Sequence, residues 1–325
     1  MKIWKLAAVA AASLGAALAT GGASAQDYPS RDITIVVGSP PGGPTDTFAR
    51  MFAQPLQEKL GRTVVVENKP GASGTVAAQA VLAAPADGYT LWFTTPSHLV
   101  IPTLVRDPAP FERSAFAPIM AGMYGAGALL AHPSAPFDTL QEFVDHAKAN
   151  PGKLNYASSG AGSTSHIVME MVKDRLGVDV AHIPYNGNGP AMAALVSGEV
   201  QVLGGDLGSA AGALKDETVK AISVFALDRS PVVPDVPTAD ETGLMPGFNP
   251  VFYLGFVARA ETDPAIVAKL NATLNEILGQ EAVKRQIATM LFTAVGGTPE
   301  AFSELYEADA KATGEIIEKL GLKGQ

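Results

Sequence analysis

The sequence predicts an α/β protein made of two similar halves. Three observations predict it: strand-like and helix-like segments alternate up to Thr94, the alternation starts afresh after Ala115, and helix-like segments close the chain. Because βαβ alternation sets parallel strands side by side under a cover of helices, we expect largely parallel sheets.

The first half alternates regularly between the two kinds of segment. In chain order it contains the strand-like Ile33–Val37, the helix-like Thr47–Leu60, the strand-like Thr63–Glu67, the Ala-rich Gly74–Ala84 and the strand-like Tyr89–Thr94.

The second half repeats the alternation. Its helix-like stretch 163–176 carries Ile167, Met171 and Val172 at the spacing of an amphipathic helix. The other segments are the apolar, Gly-rich Ala117–Leu130, the helix-like Thr139–Asn150, and the strand-like Leu154–Ala157 and Val219–Ala226.

Proline punctuates the last third of the chain. The Pro-rich passage 231–250 is too irregular for a helix and too regularly spaced for a flexible linker. At two later places an N-cap residue followed by proline predicts the start of a helix. These are Ile266–Leu278, after Asp263-Pro264, and Phe302–Leu320, after Thr298-Pro299.

If those helices pack on the first half, the first domain is discontinuous. The expected domains are then 26–122 plus 228–325 for the first and 123–227 for the second, after a signal peptide at 1–25.

The first 25 residues have the pattern of an export signal. Lys2 and Lys5 precede an apolar stretch, Leu6–Leu18, and Ala23-Ser24-Ala25 supplies a small-x-small cleavage site before Gln26. The apolar stretch is shorter than the ~20 residues that span a bilayer. The chain has no cysteine, which excludes a lipid-anchored cysteine and disulfides. We expect a soluble periplasmic protein.

Composition and charge limit the partners. The chain is 47% hydrophobic, enough for well-formed cores, and its formal net charge is −9. Removal of Lys2 and Lys5 with the signal makes it more negative still. A surface of that sign disfavours nucleic acid and anionic lipid, so local dipoles and hydrogen bonds must hold any anionic ligand.

Catalytic, metal and nucleotide motifs are weak. The Gly-x-Ser-x-Gly elbow is absent, and a triad of Ser163, His166 and Asp206 lacks the strained turn that exposes a nucleophile. The five histidines show no His-x-x-x-His spacing, and no dinucleotide or Walker-type glycine loop occurs. We expect no catalytic residue, no metal and no cofactor.

Four polar, glycine-rich loops follow strand-like segments. Ligands of open α/β sheets bind outside the carboxyl ends of the strands, and a helix start can hold an anion. Any one loop is equally well a tight turn with an N-cap, but four together favour a binding cleft. They are loop 1 (Ser39–Asp46), loop 2 (Pro70–Gly74), loop 3 (Thr94–Ser97) and loop 4 (Ser158–Thr164).

Several blocks carry a resemblance to a known family, and they span nearly the whole mature chain in order. They are Tyr28-Pro29-Ser30-Arg31, Pro-Pro-Gly-Gly-Pro-Thr-Asp at 40–46, Val66–Ala72, Asp87–Leu91, Asn150–Leu154 through Ser158–Gly160 and His166, His182–Gly187, and Pro234–Thr238 with Glu241 and Gly243. The chain resembles the tripartite tricarboxylate transporter substrate-binding proteins, also called the Bug family.

The resemblance implies a fold and a function. The fold is periplasmic-binding-protein-like (type II), with two α/β domains and a ligand cleft between them. The function is capture of a small carboxylate, which a monomeric protein delivers to the membrane permease subunits of a tripartite transporter. A ligand-dependent sensor partner is an alternative, and a periplasmic hydrolase is a weaker one.

The resemblance also implies binding residues. A ligand carboxylate is expected at loop 1, partly through ordered water. Asp46 either caps the following helix or faces a cationic ligand group. The expected set is Ser39, Gly42, Gly43, Thr45, Asp46, Ser73, Thr95 and Ser97 from the first domain, and Ser159, Ser163, Thr164, Tyr185 and Asp206 from the second.

Loop 1 departs from the family pattern at Ser39, where a bulky Phe is expected. Loss of an aromatic wall enlarges the cleft, which motivates the hypothesis that the ligand is an aromatic mono- or dicarboxylate. Met123, Tyr124 or Phe252 would supply apolar surface. The family's usual tryptophan near the last Pro-rich passage is replaced by Phe252 or Tyr253, which puts the cleft rim in doubt.

Overall fold

The structure, a computed structural model, describes residues 28–230, 233–250, 252–319 and 321–324. The predicted signal peptide lies outside these residues. Among the described helices, none has the length and apolar character needed to cross a bilayer.

Eleven strands are described, and they form two sheets. In chain order they are β1 (Ile33–Val37), β2 (Val64–Asn68), β3 (Thr90–Thr94), β4 (Phe116–Gly125), β5 (Gly127–Ala131), β6 (Asn155–Ser158), β7 (Ala181–Pro184), β8 (Val202–Asp206), β9 (Lys220–Phe225), β10 (Phe252–Arg259) and β11 (Phe292–Ala294).

Helices separate most of the strands. The α-helices of the described chain are α1 (Pro44–Leu60), α2 (Thr75–Ala83), α3 (Pro96–Leu99), α4 (Ile101–Val105), α5 (Leu140–Ala149), α6 (Thr164–Leu176), α7 (Asn188–Val196), α8 (Leu207–Lys215), α9 (Pro264–Leu278), α10 (Glu281–Thr289) and α11 (Pro299–Lys319).

The first sheet has the order β11-β4-β10-β3-β1-β2 and the second the order β7-β6-β8-β5-β9. The α/β class with two domains is confirmed. The expectation of largely parallel sheets was wrong, because β10 runs antiparallel to both β3 and β4, and β5 runs antiparallel to both β8 and β9. Strands β5 and β10 enter their sheets from the other sheet instead of through a βαβ crossover, so nothing forces them to run parallel.

Both faces of the first sheet are buried. Ile33, Ile35 and Val37 of β1 point into one apolar cluster, while Val36 points into another on the opposite face. Such burial on both sides explains why β1 reads as a continuous apolar run instead of an alternating one.

The chain passes from the first sheet to the second at Ala126, between β4 and β5, and returns before β10. Within the Pro-rich passage, Met245 and Phe248 pack into the core of the second sheet, and the rings of Phe248 and Phe225 lie 5.0 Å apart. The boundaries after 122 and 227 stay a proposal, and this packing favours a second boundary nearer Phe252.

An apolar cluster joins the two halves, and we call it the bridging cluster. It is formed by Ile101 and Val105 of α4, Ile167 of α6, Ile317 of α11, and Leu322. Because α4 and α11 lie on the first sheet's side and α6 on the second's, burying these side chains holds the two halves against each other. An ion pair of 2.6 Å between Lys319 of α11 and Asp174 of α6 lies beside it.

Candidate functional site

Loops 1, 2 and 3 meet at the side chain of His98 in α3. A Cβ atom on Gly38, just before loop 1, would lie 2.9 Å from His98 Nδ1. A Cβ on Gly74 of loop 2 would lie 2.5 Å from the His98 Cβ and Cγ atoms. Only glycine leaves room for the imidazole at both places, so the ring is wedged between the two loops.

His98 is also chemically unusual. Its buried Nδ1 atom has no hydrogen-bond partner among the described residues. Burial lowers the pKa of His98 to about 4, so the ring is neutral at physiological pH.

A contact between hydroxyl groups joins loop 3 to loop 4. Ser97 Oγ and Thr164 Oγ1 are hydrogen-bonded, and the Thr164 backbone N–H also donates to Ser97 Oγ at 3.4 Å. Gly162 lies against Val105, with 3.3 Å between its Cβ position and Val105 Cγ1. Loops of both halves therefore lie side by side.

Asp46 holds loop 1 in shape. Its buried carboxylate accepts from the Gly42 N–H at 2.9 Å, from Arg50 Nε at 3.0 and 3.1 Å, and from Asn68 Nδ2 at 2.9 Å. Asn68 Nδ2 also donates to the carbonyl oxygen of Ser39 at 3.0 Å. Although burial alone would raise the pKa of Asp46, these hydrogen bonds hold it below its ordinary value. The N-cap position itself is Gly43, so Asp46 ties the loop to α1 from inside the first turn.

Loop 2 is strained. Ala72 and Ser73 have φ angles of 48° and 50°, and Gly74 follows at 79°. Left-handed backbone at a residue other than glycine costs on the order of 1–3 kcal/mol and clusters at binding sites. The Ser73 hydroxyl is exposed and bonds to no other described residue.

The helices that begin next to these loops differ between the two halves in whether a side chain caps their first turn. Neither α1 nor α2 has a side-chain cap at its positive dipole end. The first residue of α1, Pro44, has no N–H, and the N–H of Thr75, the first residue of α2, donates to the carbonyl oxygen of Ala72. The start of α6 is capped by Ser163, whose Oγ accepts from the His166 N–H at 3.3 Å. An anion is therefore favoured on the first sheet's side.

Loop 4 rests on a stack of rings. The imidazoles of His166 and His182 lie 4.0 Å apart at an angle of 8°, and Tyr156 stacks on His182 at 4.8 Å. His166 Nδ1 accepts the Gly162 N–H at 3.0 Å, and His182 Nε2 bonds to Ser158 Oγ at 2.6 Å. Burial lowers the pKa of both histidines, that of His182 to about 4.

The conceivable triad is not assembled. The His166 Nδ1 atom is occupied by Gly162, and Ser163 Oγ bonds to Ser165 Oγ at 3.1 Å. Asp206 caps α8, accepting from the Ser209 N–H at 2.8 Å and from its hydroxyl at 2.8 Å. Burial raises the pKa of Asp206, which its hydrogen bonds to Ser209 partly offset.

Lowering the pH from 7 to 4.5 is expected to destabilise the protein. The ordinary histidine pKa is 6.5 and that of folded His182 about 4, so the unfolded chain binds more protons between these values. His182 therefore contributes stability that is fully present above about pH 6.5 and is lost as the pH falls toward 4. Thermal unfolding midpoints at both pH values should show a smaller drop for His182→Gln than for the wild type. Half-exposed His132, changed to Gln, is the matched control; equal drops in all three proteins contradict the prediction.

The remaining predicted site residues divide into two groups. Ser39, Thr45 and Thr95 make no side-chain hydrogen bond to another described residue; Ser39 and Thr95 are half-buried, and Thr45 is buried. Tyr185 donates its hydroxyl to Glu199 at 2.9 Å, and Ser159 bonds to Ser165 through its N–H at 2.9 Å.

Two sequence-based interpretations need correction. Met123 is fully buried in the core of the first sheet and cannot supply apolar surface to a cleft. The sequence assigned no individual role to His98, which it showed only to lack a metal-ligand spacing, whereas three loops of the structure meet on this side chain. Glycines at 38 and 74 were the available signal, but their contact with residue 98 is not local in sequence. Arg106, half-buried near loop 2, was also missed.

Across the described residues, no group of three or more His, Asp or Glu side chains is placed to hold a metal ion.

Fold and site together define a two-domain solute-binding protein, with the candidate site where loops of the two halves meet. The family model described as "Tripartite tricarboxylate transporter family receptor" matches residues 48–322. The chain belongs to this family, whose members are periplasmic receptors.

Related proteins are similar to this chain in sequence or structure over most of its length. Protein BugT of Bordetella pertussis is 31% identical over 326 residues, covering 96% of this chain and 97% of that protein. The structure of R. palustris Rpa4515 with adipate has a TM-score of 0.84 and 29% identity, covering 91% of this chain and 99% of that one. MatC from Rhodopseudomonas palustris with bound malate has a TM-score of 0.80 and 33% identity, covering 89% and 100%.

Proposed function

We propose that this protein captures a small carboxylate between its two halves in the periplasm and delivers it unchanged to the membrane subunits of a tripartite tricarboxylate-type transporter. The observation that carries the proposal is the meeting of four polar loops from both halves beside the uncapped starts of α1 and α2. Free N–H groups at a helix start bind carboxylates without a counter-cation.

The related structures support the choice of ligand. Rpa4515 was determined with adipate and MatC with malate, and both ligands are dicarboxylates. The contacts of Ser163, His166 and Asp206 support binding without turnover, because each group is engaged in a structural role.

The proposal is tested by titration calorimetry of the mature protein, starting at Gln26, with malate, adipate, phthalate and the monocarboxylates hexanoate and benzoate. We expect binding of one ligand per chain and a raised thermal midpoint, since a ligand of the folded state stabilises it. Recovery of the ligand unchanged after overnight incubation checks for turnover. If no carboxylate binds, or if the ligand is consumed, the proposal fails.

Two further arms of the experiment address ligand size and delivery. Ser39→Phe restores the wall that loop 1 lacks, so it should weaken phthalate and benzoate more than malate if the cleft accepts aromatic ligands. Uptake of the tightest ligand by cells with and without the gene tests delivery. Normal uptake without the gene would favour the sensor alternative.

A further inference from the structure

Arg106 differs from the other cationic side chains of the described residues. It is half-buried, yet no Asp or Glu lies in ion-pair contact with it. The other described lysines and arginines without a carboxylate partner, such as Arg62 and Arg285, are exposed. A partly desolvated cation without a counter-ion is costly, because water no longer fully solvates its charge.

Arg106 lies where loops of the two halves meet. It follows α4 directly, and its Nη1 atom donates to Thr75 Oγ1 at 3.2 Å. Thr75 is the first residue of α2 and follows Gly74, which contacts the unpartnered imidazole of His98. The neighbouring Val105 packs on Gly162 of loop 4. The guanidinium thus lies beside loop 2, close to the second half of the protein.

Near these loops, Arg106 carries a positive charge that no described Asp or Glu neutralises. Asp46 is already neutralised by Arg50, and the rings of His98 and His182 are neutral because burial lowers the pKa of each to about 4. A guanidinium has five N–H donors, and the structure uses one of those of Arg106 for Thr75. The others match the planar, two-oxygen geometry of a carboxylate.

We propose that Arg106 is a specificity-determining residue that binds a second carboxylate of the ligand, while the first lies at loop 1 and the start of α1. This inference rests on the proposed function and deepens it: the protein is a receptor for dicarboxylates instead of monocarboxylates. The uncompensated charge of Arg106 is then balanced when the ligand binds.

The test compares adipate with hexanoate, which has the same chain length and one carboxylate fewer, by titration calorimetry. We expect the wild type to prefer adipate by at least about tenfold, since charge-assisted hydrogen bonds are the strong ones. Arg106→Gln should abolish this preference while changing the hexanoate affinity less than about twofold. Arg106→Lys keeps the charge without the fork and should retain part of the preference.

Two matched variants separate specificity from structure. Arg62→Gln removes an exposed arginine of the same half and should leave the preference intact. Thr75→Val removes the hydroxyl that fixes the guanidinium but keeps the charge, so the preference should fall without vanishing. Thermal midpoints of the ligand-free variants check that each one folds.

The outcomes are distinguishable. If the wild type binds adipate and Arg106→Gln keeps the full preference, or weakens adipate and hexanoate equally, this assignment is wrong and the proposed function stands. If the wild type binds hexanoate as tightly as adipate, the dicarboxylate preference is wrong. If it binds no carboxylate at all, the proposed function fails and this assignment fails with it.

Discussion

Substitution of Asp46 by alanine is expected to abolish carboxylate binding and to lower the free energy of unfolding by about 2–4 kcal/mol. The side chain of Asp46 is only 5% exposed and accepts from Gly42, Arg50 and Asn68. Its removal leaves the Gly42 N–H and Arg50 Nε without this acceptor and Asn68 Nδ2 with the Ser39 carbonyl oxygen alone. Loop 1 then loses the contacts that fix its shape next to α1. Denaturant unfolding and titration with adipate and malate measure the two effects.

Asp46→Asn and Glu58→Ala are the controls. Asn keeps the shape and one acceptor oxygen, so it should lie between wild type and alanine. Glu58 is an exposed acid on the same helix, and its loss should change stability by less than about 0.5 kcal/mol with normal binding. An Asp46→Ala protein as stable as Glu58→Ala, with unchanged affinity, would show that loop 1 does not depend on this carboxylate.

Gly74→Ala is expected to have the second-largest effect. The new methyl group would lie 2.5 Å from His98 in a backbone with φ of 79°, so strain and overlap add. We expect a loss of roughly 2–4 kcal/mol in stability. Displacement of the imidazole also separates loops 1, 2 and 3, and the dissociation constant of the carboxylate should rise by at least about tenfold. Denaturant unfolding and calorimetric titration provide both numbers.

Gly61→Ala isolates the contribution of the backbone. Gly61 has φ of 67° at the end of α1, and nothing lies within 4 Å of its Cβ position. Its substitution should cost about 1 kcal/mol and leave binding unchanged. If the two variants behave alike, the close approach of Gly74 to His98 is not what organises the site.

Local patterns predicted much of the fold. The apolar run of β1 and the N-cap of α6 at Ser163 are properties of neighbouring residues, and they lie within a residue or two of where the sequence predicts them. Helix α1 begins at Pro44, earlier than predicted, because proline suits a first helical turn. Strand β10 was missed between the Pro-rich passage and the last helices. Its apolar residues are a strand signal, but its partners β3 and β4 lie more than a hundred residues earlier in the chain.

In the candidate site, too, local features could be predicted from the sequence, whereas pairings between distant residues could not. The loops could be listed from the sequence because they follow strand-like runs and precede helices. The role of Asp46 depends on Asn68, 22 residues further on, and that of Arg106 on Thr75, 31 residues earlier. Such pairings are set by how β1, β2 and α4 pack, which periodicity does not reveal.

In the proposed capture of a carboxylate, the bridging cluster would give ligand binding a thermal signature that the polar loops alone would lack. Any opening that separates α6 from α4 and α11 exposes Ile167, Ile317 and Leu322 to water. Exposure of apolar surface raises the heat capacity, so closure around a carboxylate lowers it. The enthalpy of the proposed capture would then change steeply with temperature even where only hydroxyl and N–H groups contact the ligand. Side chains that never touch the ligand would thereby help to set how tightly it is held in the cold and in the warm.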